Sequence, residues 1–145
     1  MNKTLLLGTL LLALLPAACG GSGPLMTPGQ DCQRSGCHGE GGGAQRFFVS
    51  GTIFASVASI SQDGLEGATV LVVDAENNQM SLPTNAAGNF YTREDVVFPL
   101  VVSVQYGATI RHMEPTVLDG GCNRCHGVPP REGAEGRAYV HPDIP

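Results

Sequence analysis

The chain has 145 residues, with 20 Gly, 10 Pro, five Cys, no Trp and only 14% charged residues. So much Gly and Pro excludes a coiled coil or helical array, and 42% hydrophobic residues exclude a disordered acidic tail. A formal net charge of −5, with Lys3 as the single lysine, offers no basic patch for a nucleic acid.

Met1-Asn2-Lys3 is a short basic opening, and an apolar run follows from Leu5 to Leu15. The run is too short for a membrane span, which needs about 20 residues, and has the length of a secretory h-region. Pro16-Ala17-Ala18-Cys19-Gly20 then sets small residues ahead of a cysteine. This resembles a bacterial lipobox, with Pro16 where that pattern prefers Leu. The resemblance implies a signal peptide over residues 1–18 and lipidation of Cys19; an ordinary signal peptide cut after Ala18 is the alternative. Two or three acyl chains hold a protein stably on a membrane. The expectation is therefore an exported, membrane-anchored lipoprotein, periplasmic or at the cell surface, and Gly20 after the cysteine favours the outer membrane by the same resemblance. Residues 19–28 read as the anchor and a Gly/Ser tether. Removing Lys3 leaves seven arginines against 13 acidic residues, a net of −6, which argues further against phosphate-backbone binding.

Residues 29–46 form a first irregular loop carrying Cys32, Cys37 and His38 among glycines. Residues 47–113 read as short strands. Phe47 to Phe54 alternates, Thr69 to Asp74 is β-branched and apolar on both faces, and Asn77-Asn78 signals a turn. Ala87-Gly88-Asn89 is another turn, followed by a strand at Phe90-Tyr91-Thr92. Leu100 to Tyr106 alternates as a half-buried strand does, and Thr109 to Met113 closes the series. No segment predicts an amphipathic helix. Residues 114–145 form a second loop and tail carrying Cys122, Cys125 and His126. The expected class is mainly β, a small β-sandwich flanked by irregular Cys/His loops.

Ser50-Gly51-Thr52-Ile53, Leu65-Glu66-Gly67-Ala68-Thr69-Val70, Thr84-Asn85-Ala86-Ala87-Gly88-Asn89-Phe90 and Leu100-Val101-Val102-Ser103-Val104 together resemble the carboxypeptidase regulatory-like (transthyretin-like) sandwich. In that family the sandwich is a rigid non-catalytic module, which implies a scaffold role for the core; fold alone does not assign function.

The chemistry lies in the two loops. Cys122-Asn123-Arg124-Cys125-His126 is a C-x-x-C-H motif, the pattern of covalent c-type haem attachment. Two thiols on one turn reach both haem vinyl groups, and the next histidine lies under the iron. Cys32-Gln33-Arg34-Ser35-Gly36-Cys37-His38 repeats the idea with four residues between its cysteines, and resembles the longer variant of some multihaem cytochromes. The segment Gly121 to Val140 resembles the tails of multihaem cytochrome c-like lipoproteins, which implies electron transfer rather than substrate turnover. Two haems are expected, and one at minimum. Two disulfides are the alternative in an oxidising compartment, and a zinc site using thiolates of both loops is another. Candidates for the remaining axial positions are His112 or Met113, which alternate at the end of the last strand, and His141 in the tail. The glycines around Glu40 suit backbone passing close to a flat macrocycle.

The function these residues predict is an exported c-type cytochrome, an electron carrier rather than an enzyme, tethered by lipid and serving redox partner proteins. The competing reading is a structural or adhesion lipoprotein with a stapled or zinc-bound sandwich.

Overall fold

Val70 and Val72 turn inward from the β-branched run Thr69–Val73 and centre the molecule's larger sheet. A computed structural model describes residues 25–140 apart from 35, 61 and 115; the expected signal peptide, Cys19 and His141 lie outside the described residues. In chain order the strands are β1 (Val49–Thr52), β2 (Thr69–Val73), β3 (Gln79–Pro83), β4 (Asn89–Thr92), β5 (Val101–Tyr106) and β6 (Thr109–His112). One sheet pairs β1 with β4; the other runs β3-β2-β5-β6, and every pairing is antiparallel. The fold is thus mainly β, a small two-sheet sandwich. Among the described residues the only α-helix is a single turn, α1 (Cys122–Cys125).

Register explains the core. Val70 stands opposite Leu82 and Val104, and Val72 opposite Met80 and Val102. Alternation keeps these side chains on one face, where they meet Val49, Ile53 and Phe90 of the smaller sheet and its extension. β3 is a strand the sequence pattern did not predict. Its inward residues, Met80 and Leu82, are only half-buried on a sheet edge, so the apolar alternation is weak, and Pro83 closes the strand where an edge tolerates it. The Asn77-Asn78 turn that leads into it is present: Asn77 has φ 65°, and the Asp74 carboxylate accepts from the Glu76 and Asn78 N–H groups at 2.9 Å each.

Past β6 the chain returns to β1. Ser50 N–H donates to Gly120 O (2.8 Å), and Phe54 N–H donates to Ala138 O (2.9 Å). Both ends of the segment carrying α1 are therefore sewn to the same edge of the smaller sheet, with parallel bridges at Gly121 and Tyr139.

Leu100 is fully buried, whereas Val101 beside it is 50% exposed. Leu100→Ala is expected to cost about 2–5 kcal/mol and Val101→Ala under about 1 kcal/mol, read by urea unfolding. Equal losses would contradict this inward and outward assignment.

Candidate functional site

One helical turn puts Cys122 and Cys125 three residues apart on a common face. His126 follows as its C-cap, its N–H donating to Cys122 O (2.9 Å). The turn presses directly onto β1 because position 51 is glycine. A Cβ there would lie 2.8 Å from the Cys122 Cβ and 2.9 Å from the Phe90 ring. The His126 Nδ1 is 2.8 Å from Gly136 O. A carbonyl only accepts, so Nδ1 carries the proton and Nε2 keeps its lone pair for a metal.

The first motif reaches the same arrangement by a longer path. His38 N–H donates to Cys32 O (3.0 Å) and Cys37 N–H to Arg34 O (3.1 Å), which folds the four intervening residues into a tight loop. His38 Nδ1 lies 2.7 Å from Gln45 O, again leaving Nε2 as the free lone pair. Its ring stacks on Phe47 at 3.8 Å and 6°, and Phe47 stacks on Tyr91 at 4.2 Å. The neighbouring glycines have a use the sequence did not suggest. A side chain at Gly39 would collide with the Gln33 carbonyl, and one at Gly42 with that of Cys37, so they let the loop close on its own backbone.

The two motifs lie side by side against β1, joined by the residues between and before their cysteines. Buried Asn123 accepts from Thr52 N–H (3.0 Å) and donates to Gln30 O (2.8 Å) and Thr52 Oγ1 (2.9 Å). Thr52 Oγ1 donates to Asn89 Oδ1 (2.6 Å) and accepts from Gly29 N–H (2.9 Å). Arg124 forms ion pairs with Asp31 (3.4 Å) and with Asp119. The x positions of the C-x-x-C-H motif carry no signal in the pattern itself, so the sequence does not mark Asn123 and Arg124 as site residues.

Cys32, Cys122 and Cys125 are free thiols, so neither motif closes its two cysteines on each other; Cys37 is not free. Burial pushes the Cys32 thiol up, opposed by the Ser50 hydroxyl beside it. Cys122 lines a cavity and so keeps some accessible surface, but protein atoms surround it and burial pushes its thiol up to about 12. Cys125 is raised by burial and by the Glu132 carboxylate, to which its thiol donates at 3.4 Å. Among the described residues no three His, Cys, Asp or Glu side chains converge as a metal cluster, so the zinc alternative has no assembled site there.

The cavity measures about 610 Å³, inside the roughly 300–1,000 Å³ typical of small-molecule and cofactor sites. Cys122, Cys125 and His126 line it together with the core residues Val70, Phe90 and Val102. His112 and Met113 both border it, and the ladder separates them. His112 stands opposite Ser103 on the exposed side of β6, while Met113 N–H donates to Val102 O and its side chain packs on the core. Comparison of the chain with protein-family models, curated proteins and solved structures finds no match.

Asn123→Ala leaves the buried Thr52 N–H without a partner, and such a group costs about 1–3 kcal/mol, whereas the carbonyl of exposed Gln30 can turn to water. Urea unfolding is expected to show a loss of at least that size, and a neutral variant would remove Asn123 as the link between motifs.

In the reduced, cofactor-free chain Cys122 is expected to resist iodoacetamide until urea unfolds the protein. An unfolded thiol titrates near 9 and folded Cys122 near 12, so the unfolded chain gives up its proton first. Stability therefore holds below pH 9 and falls as pH rises toward 12. A flat stability profile over that window would contradict the burial of this thiol.

Proposed function

We propose that this protein is an exported c-type cytochrome that carries single electrons between redox partner proteins. One observation supports this most strongly: Cys122 and Cys125 present free thiols on a single turn, followed by a histidine whose Nε2 is left as the lone pair, all bordering a mainly apolar cavity of about 610 Å³ with a charged rim. Thioether attachment adds a thiol S–H across a vinyl double bond, sulfur to one carbon and hydrogen to the other. It needs a reduced thiol, the state of both cysteines. In this reading Cys122 and Cys125 would hold haem c and His126 would ligate its iron, and Cys32, Cys37 and His38 would be the second set once Cys37 is reduced. Bound haem supplies a one-electron couple whose potential depends on axial ligand and burial.

The chain's own residues do the positioning. Gly136 O orients the His126 ring, Asn123 keeps the turn against β1, and Val70, Val102 and Val104 of the larger sheet line the cavity's inner side. Phe47 backs the His38 ring. Lipid at Cys19 would tether the domain to the membrane. The acidic mature chain suits docking to basic patches on partners.

Expression with a haem-attachment system, followed by pyridine haemochrome and intact-mass measurement, is expected to show covalent haem on a membrane-fractionating protein. Cys125→Ser is expected to weaken the haem stain of the second site on a denaturing gel. A colourless protein whose mass shows only the lost hydrogens of disulfides would establish the structural-lipoprotein reading instead.

A further inference from the structure

Met113 and His112 are adjacent, and either could be offered to an iron held by His126. The strand ladder distinguishes them. β5 buries Val102 and Val104 and turns Ser103 to the outer side. β6 pairs Arg111 with Val104 and His112 with Ser103, and the Met113 N–H continues the ladder to Val102 O (3.0 Å). Alternation then sends the Met113 side chain to the Val102/Val104 face and the His112 side chain to the opposite, exposed one. Both residues border the cavity that Cys122, Cys125 and His126 line, but only Met113 packs against the core, as Cys122 does.

Three of the carboxylates lining the cavity are committed elsewhere. Glu132 accepts from the Cys125 thiol, and Glu135 accepts from Arg111 and from the Tyr139 hydroxyl, each at 3.2 Å. Asp119 accepts from Gly121 N–H and pairs with Arg124. A thioether is a soft ligand that iron in haem accepts, and it raises the potential relative to a second histidine.

We propose that Met113, not His112, is the sixth ligand of the iron held by His126, so that this site is His/Met-coordinated. The assignment rests on the proposed function above. It makes the β6 terminus part of the cofactor site, and makes this the higher-potential centre of the chain if the other is bis-histidine.

The test uses the full-length haem-loaded protein and the variants Met113→Leu, Met113→His and His112→Ala. Leucine keeps the apolar bulk and removes the sulfur. Met113→Leu is expected to keep its haem content by pyridine haemochrome, to lose the ferric sulfur-to-iron charge-transfer band, to gain high-spin character and to bind one more equivalent of carbon monoxide than the wild type. Met113→His is expected to restore a low-spin spectrum at a lower potential, and His112→Ala to match the wild type. A Met113→Leu protein with unchanged spectrum and carbon monoxide stoichiometry, or a His112→Ala protein that gains the extra equivalent, overturns the assignment. A wild type without covalent haem overturns the proposed function itself, a result separable from the ligand question because it is read before any variant is compared.

Discussion

Asn123 is a buried amide joined to two parts of the chain far away in sequence, and the arrangement of the site depends on it. Its oxygen accepts from Thr52 and its nitrogen donates to Gln30 and Thr52, across separations of 71 and 93 residues. A buried amide left without partners is costly, so these three bonds form only when the first loop, β1 and α1 are all in place. The network continues through Thr52 Oγ1 to Asn89 and from Asn89 Nδ2 to Met26 O (2.5 Å). Polar groups so connected favour one arrangement over near alternatives, because any displacement strands several of them at once. The two Cys/His loops are consequently neighbours on one strand rather than independent appendages.

That common support gives two unlike motifs a similar local chemistry. In each, a backbone carbonyl downstream holds the histidine Nδ1, seven residues on for His38 and ten for His126. The ring is oriented and its tautomer set before any ligand arrives, which is the pre-organisation a metal-binding imidazole requires. Their surroundings then diverge. His38 lies in an aromatic stack with Phe47 and half-exposed Tyr91, while His126 borders a cavity walled by the valines of the larger sheet. If both motifs hold haem as proposed, their different surroundings give the two centres different solvent access and hence different potentials.

Much of this was legible beforehand. The strands at Thr69–Val73 and Val101–Tyr106 follow from β-branched and alternating residues, and the mainly β class follows from them and the intervening turns. β3 escaped because an edge strand needs only Met80 and Leu82 facing inward, too little alternation to rise above its polar neighbours. The strand expected over Phe47 to Phe54 shortens to Val49–Thr52, since Ile53 and Phe54 give their N–H groups to Gly88 and Ala138 instead of to β4.

The sequence by itself determined the secondary-structure class and the identity of the reactive groups, because periodicity and motif spacing are local properties. The spacing of Cys122, Cys125 and His126 already dictates that they share one turn. Which residues meet across the chain was decided only by the tertiary structure. Strand register separated Met113 from His112, the missing side chain at Gly51 let α1 seat on β1, and Asn123 joined loops some 90 residues apart. Those outcomes depend on which backbone and polar groups must be satisfied together once buried, a condition that no short window of residues contains.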